Sequence, residues 1–170
     1  MADRRTLFLV RHAIAAERGP EFPDDTRRPL TEDGISRFRK AVAGLVDLGV
    51  EIDLILTSPL VRARQTAELL SKGLTGHPPI IESGALSPGA THKALVTELG
   101  RHARRSAIAL VGHEPHLGET AAWLLGCPGR FDFRKGGVCR IDVDALPPSV
   151  PGRLQWFAPP KILVRLRGPR

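Results

Sequence analysis

Three short apolar runs in this chain each stop abruptly in polar, potentially reactive sequence. Leu7-Phe8-Leu9-Val10 runs into Arg11-His12. Leu54-Ile55-Leu56-Thr57 runs into Ser58-Pro59-Leu60-Val61-Arg62. Ala109-Leu110-Val111 runs into Gly112-His113-Glu114-Pro115-His116. Apolar runs this short, bounded by turn residues, suit strands buried on both faces. Helix-forming segments separate them. Strands alternating with helices argue for an α/β fold, a mainly parallel central sheet flanked by helices. In such sheets ligands bind beyond the carboxyl ends of the strands, which is where these polar segments fall.

The intervening sequence fits that plan. Gly19 to Pro29 carries three prolines and many charges and reads as a loop. Thr31 is a candidate N-cap, with Glu32 and Asp33 in the first turn behind it. Ile35, Phe38, Val42 and Leu45 then recur at helical spacing until Gly49. Ser58 followed by Pro59 reads as a cap and a helix start, with the helix running to about Lys72. Pro78-Pro79 and Ser87-Pro88-Gly89 punctuate a loop region. Thr91 to His102 and Pro115 to Leu125 read as helices. Val138–Val143 and Arg153–Phe157 read as strands around a proline-rich turn at Pro147–Pro151. A length of 170 residues suits one domain, 1–170, with a sizeable core.

Composition narrows the setting. No apolar run approaches the roughly 18 residues of a membrane span, and Leu7–Val10 is too short for a signal-peptide core. A cytoplasmic location is expected. Cys127 and Cys139 form neither a disulfide framework nor a metal motif, and ordinary buried thiols are the expectation. The net charge of +7 invites a nucleic-acid reading. Yet the basic residues are scattered, apart from Arg165, Arg167 and Arg170 in the tail, and interleaved aromatics are few. General solvation is the preferred reading. His77, His92 and His102 lie in polar sequence and are expected to face solvent.

If the three strands are parallel neighbours, Arg11, His12, Arg62 and His113 meet at one sheet edge. A neutral imidazole can attack phosphorus and split a hydrolysis into two displacements. Arginine offers a planar fork that matches phosphate, and a helix amino end adds amide donors. His113 and His116 also raise a metal site. Their three-residue spacing across Pro115, with no third ligand in view, does not fit the zinc patterns. No metal and no cofactor are expected.

At these residues the chain resembles the histidine phosphatase superfamily. Arg11-His12-Ala13 is similar to its Arg-His-Gly signature. Ser58-Pro59-Leu60-Val61-Arg62-Ala63-Arg64-Gln65-Thr66-Ala67 resembles its Ser-Pro-x-x-Arg-Ala-x-Gln-Thr-Ala segment, and Val111-Gly112-His113-Glu114-Pro115 its third element. Arg28-Pro29-Leu30-Thr31 with Gly34, Lys135-Gly136-Gly137 and Trp156 to Lys161 extend the likeness along the chain. The short length resembles the compact SixA-type phosphohistidine phosphatases rather than the phosphoglycerate mutases, which carry large insertions. The resemblance implies that His12 is the phosphorylated residue and that Arg11, Arg62 and His113 complete the phosphate pocket, without metal. Compact relatives often carry a carboxylate where this chain has Ala85. Glu17 and Glu114 are the substitute candidates for a general acid.

The expected function is removal of a phosphoryl group from phosphohistidine on a partner protein, through a phosphohistidine intermediate on His12. One alternative is a phosphatase for small phosphorylated metabolites or nucleotides. Another is a phosphate-binding module without turnover, which retention of His12 disfavours. Neither nucleic acid nor a membrane is an expected partner.

Overall fold

The computed structural model describes residues 4–166. In chain order the elements are β1 (Arg5–Arg11), α1 (Glu32–Asp47), β2 (Leu54–Thr57), α2 (Val61–Gly73), β3 (Ile80–Glu82), α3 (His92–Arg101), β4 (Ala107–Gly112), α4 (His116–Leu125), β5 (Val138–Val143), β6 (Arg153–Ala158) and α5 (Pro160–Arg165). They form one six-stranded sheet in the order β3-β2-β4-β1-β5-β6. β3, β2, β4 and β1 run parallel, β5 is antiparallel to β1, and β6 is antiparallel to β5. The sheet is therefore mainly parallel, with an antiparallel hairpin at one edge.

Helices cover both faces of the central strands, which explains why β2, β4 and the middle of β1 are almost wholly apolar and buried. Phe8, Val10, Ile55, Ala109 and Val111 pack with α1, α2 and α5. Leu7, Leu9, Leu54, Leu56, Ile108 and Leu110 point the other way, against α3 and α4. Alternate residues of one strand thus feed two cores, as the two-residue period requires.

Several local readings hold at atomic detail. The Thr31 hydroxyl accepts the Gly34 N–H and caps α1. Gly49, at φ 70°, supplies the left-handed residue that closes that helix. Thr91 caps α3 in the same way.

Others need correction. α2 begins at Val61 after Leu60, with no side-chain cap; Ser58 sits two residues too early, and its hydroxyl lies beside His113. The stretch after Pro78-Pro79 contains β3, a three-residue edge strand. The end of the chain folds back as α5, which packs on α1. Cys139 is buried, but Cys127 is exposed, and both are free thiols. His77 is exposed, whereas His92 and His102 are half-buried. His102 pairs with Glu98 at 3.0 Å, and His92 stacks on His116 and Trp123. In the basic tail, Arg165 lies in α5, while Arg167 and Arg170 fall outside the described residues. Among the described residues, no helix is long and apolar enough to cross a membrane.

Candidate active site

Strand register brings the three polar segments together. Arg11 pairs with Gly112 across β1 and β4, and Thr57 pairs with Val111 across β2 and β4. One residue further on, the His12 N–H donates to the Gly112 carbonyl and the Ser58 N–H to the Val111 carbonyl. His12 and His113 therefore emerge side by side, with ring centroids 5.2 Å apart. The motif residues around them fasten this edge. Thr66 of α2 accepts the Ala13 N–H at 3.0 Å, and Gln65 accepts the Leu30 N–H at 2.7 Å. Gly136, at φ 80°, donates its N–H to the carbonyls of Arg11 and His12. Gly34 lies so close to the Ile14 carbonyl that a Cβ there would collide with it.

His12 is only 5% exposed. Its Nδ1 lies 2.7 Å from the Ala13 carbonyl oxygen. A carbonyl can only accept, so Nδ1 carries the proton and Nε2 keeps the lone pair. Burial pulls the His12 pKa down to about 3, against the pull of the Ala13 hydrogen bond, and the charges of His113, Arg62 and Arg11 lower it further. His113, 4% exposed, is also lowered to about 3, by burial first and then by Arg62. Both rings are neutral at physiological pH. His113 Nε2 lies 2.8 Å from the Ser58 hydroxyl, which also accepts the Leu60 N–H. With that hydroxyl donating to Nε2, the His113 proton sits on Nδ1.

The two arginines are anchored at one end each. Arg11 Nη1 donates to the Phe133 carbonyl at 2.6 Å. Arg62 Nη1 donates to the Asp25 carbonyl at 2.8 Å, and its Nη2 to Asp25 Oδ2 at 3.0 Å. In both, Nε is buried with no partner among the described residues, and so is His113 Nδ1. Leaving a buried donor unpaired costs about 1–3 kcal/mol, and such groups in a folded protein call for an explanation. Three of them belong to residues on three segments that neighbour the neutral His12 ring, and together they offer a donor set suited to an anion.

The two carboxylate candidates separate here. Glu17 is exposed in the loop after β1. Glu114 is half-buried, accepts the Gly118 N–H at 2.8 Å, and lines with Arg11, Pro115 and Phe133 a cleft of about 570 Å³. Burial raises its pKa above the ordinary carboxylate value, although the Gly118 N–H and Arg11 oppose that. Ala85 is buried in a 3-10 turn after β3, where its N–H is taken up by the Ser83 hydroxyl. His116 is buried at the start of α4 and stacks on His92. Among the described residues, no three His, Cys, Asp or Glu side chains converge as metal ligands.

Two residues at the site escaped the sequence reading. Ser58 was legible as a helix cap and as the start of the Ser-Pro segment, but not as a partner of His113. Asp25 sat in a charged loop with no periodicity to mark it.

Comparison with known proteins decides the family. Residues 7–87 match the model of the histidine phosphatase superfamily, branch 1. A protein of Picosynechococcus sp., itself uncharacterised, is 40% identical over 136 residues, which cover 78% of this chain and 81% of that one. The chain belongs to the histidine phosphatase superfamily. Escherichia coli phosphohistidine phosphatase SixA is 26% identical over 162 residues, covering 91% of this chain and 93% of SixA. A solved structure of the protein histidine phosphatase SixA, complexed with tungstate, matches with a TM-score of 0.81 and 26% identity over 93% of this chain and 99% of that one. The superfamily member described here is thus of the compact SixA type, and it is a phosphatase.

Proposed function

We propose that this phosphatase removes phosphate from phosphohistidine on a partner protein, with His12 as the covalent carrier. The observation that carries the reading is that His113 lies beside His12, that Arg62 and Arg11 are near enough for their charges to lower the His12 pKa, and that Arg11 Nε, Arg62 Nε and His113 Nδ1 are buried with no partner among the described residues. In the first step the Nε2 lone pair of His12 attacks phosphorus as the bond from phosphorus to the substrate nitrogen breaks. The leaving imidazole keeps that electron pair and takes a proton. In the second step water attacks the phosphorus held on His12, the bond to Nε2 breaks, and inorganic phosphate and neutral His12 are released. The three donors hold the transferring oxygens throughout, and preorganised donors of this kind are the largest electrostatic contribution to such reactions. The neutrality of His12 keeps its lone pair available at working pH.

Glu114 is the better candidate for proton donation. It lies in the cleft beside Arg11, and its raised pKa keeps a proton closer to neutrality. A compact chain of 170 residues leaves little to enclose the site, which favours a bulky phosphorylated protein over a small metabolite that is better served by a lid. The tungstate complex of the SixA structure supports an anion pocket of the same kind here.

The test is phosphate release from a panel of phosphohistidine proteins, aryl phosphates, sugar phosphates and nucleotides, all in chelator. Turnover fastest on phosphohistidine is the expected result. Preference for metabolites or nucleotides would favour the alternative reading. Binding without turnover on any of them would favour a phosphate-binding module. Loss of activity in chelator, restored by zinc or magnesium, would overturn the mechanism.

A further inference from the structure

The loop between β1 and α1 contributes a carboxylate that the phosphoryl chemistry above does not use. Asp25 opens a 3-10 turn, and its oxygens are taken up by three arginines. Arg62 donates Nη1 to its carbonyl oxygen at 2.8 Å and Nη2 to Oδ2 at 3.0 Å. Arg28 donates Nε to Oδ1 at 3.0 Å and Nη1 to the Ala16 carbonyl at 2.7 Å. Arg18 approaches Oδ1 at 3.2 Å. The Arg62 side chain is 4% exposed and that of Asp25 is 40% exposed. One carboxylate therefore ties the outer loop to a buried cation on α2.

A guanidinium has five N–H donors arranged along distinct edges. Asp25 occupies the end formed by Nη1 and Nη2. The side that remains carries Nε, which is buried and has no partner among the described residues. An oxygen approaching that side meets Nε–H and the second hydrogen of Nη2, so two-point contact with a phosphoryl group survives. Without Asp25, the end and side edges would compete for the same anion. Burial pushes the Asp25 carboxyl up, but the Arg28 hydrogen bond and the charges of Arg62, Arg28 and Arg18 hold it below its ordinary value. It stays ionised and has no proton to give.

We infer that Asp25 is a positioning residue, which turns the Nε edge of Arg62 toward the phosphoryl group and fastens the loop of residues 17–29 beside the site. The inference rests on the reading of Arg62 as a phosphate ligand.

A double-mutant cycle tests it, using Asp25→Ala and Asp25→Asn, each alone and combined with Arg62→Ala. Two quantities are read: kcat/KM on an aryl phosphate, and tungstate affinity by calorimetry. Coupled residues of one ion-pair network are expected to lose about tenfold in both readouts when Asp25→Ala is made in the presence of Arg62, and less than about twofold when Arg62 is already alanine. Asp25→Asn should recover part of the loss, because its amide oxygen can still accept from Nη2, and it serves as the working variant if the alanine chain does not fold. An equal loss in both backgrounds, or no loss at all, would overturn the inference. If the wild type binds tungstate but turns over nothing, the hydrolase reading fails while the tungstate cycle still decides the role of Asp25. If the wild type binds no tungstate, the phosphate reading of Arg62 fails and the inference falls with it.

Discussion

Lowering the pH should destabilise this protein through two buried histidines of the candidate site. His12 and His113 are buried, and each has a pKa of about 3 in the folded chain, against 6.5 for an unperturbed histidine. The folded value lies below the unfolded one, so the unfolded chain binds more protons between those limits. The stability that follows is complete above pH 6.5 and is lost progressively as the pH falls toward 3. Between pH 7.5 and 5.5, proton uptake by an unfolded histidine of pKa 6.5 changes its free energy by about 1.4 kcal/mol, while the folded group takes up almost none. The pair together should therefore cost about 2.7 kcal/mol over that window. For a chain of this size each histidine corresponds to about 3–6 °C in Tm. The assay is urea unfolding of wild type and His12→Asn at both pH values, in phosphate-free buffer. Carboxylates titrate in both proteins and cancel in the difference. The wild type should lose about 1.4 kcal/mol more than the variant. Parallel losses in the two proteins would refute a neutral, strongly lowered His12, and with it the availability of the Nε2 lone pair at mildly acidic pH.

Two further outcomes follow from the same geometry. Arg62→Lys should lose a factor of about 10² to 10³ in kcat/KM, about 2.7–4 kcal/mol, because one ammonium cannot serve Asp25 and a phosphoryl oxygen along separate edges; steady-state kinetics within threefold of wild type would contradict two-edged use of that guanidinium. Glu114→Gln should slow alkyl phosphates by about 10²-fold and phosphohistidine much less, since an alkoxide leaves poorly without a proton; Glu17→Gln should leave both rates near wild type, and the reverse pattern would make Glu17 the acid.

The edge that bears the site was readable because burial on both faces forces a parallel strand to be apolar throughout. A sudden change to Arg11-His12, to Ser58-Pro59 or to Gly112-His113 therefore marks where a strand leaves the core. Parallel register then does the rest, pairing Arg11 with Gly112 and Thr57 with Val111. What stayed hidden has equally physical reasons. β3 has three residues at a sheet edge, too few to show a period, and follows two prolines. Ser58-Pro59 satisfies the local grammar of a helix start, but the tertiary demand of His113 for a hydroxyl partner sets where the serine points. Asp25 owes its place to three arginines from two parts of the chain, a long-range pattern that no local window contains. The choice between Glu17 and Glu114 depends on burial, which neither residue's neighbours in sequence disclose.

The central claim is that phosphate passes through His12, and the most direct measurement is rapid acid- and base-quench of enzyme mixed with a radiolabelled phosphohistidine protein, followed by peptide mapping. Label that is stable to base, labile to acid, confined to the peptide carrying His12 and missing from His12→Ala is the predicted result. Steady turnover with no label on His12, or turnover by His12→Ala within tenfold of wild type, would contradict it.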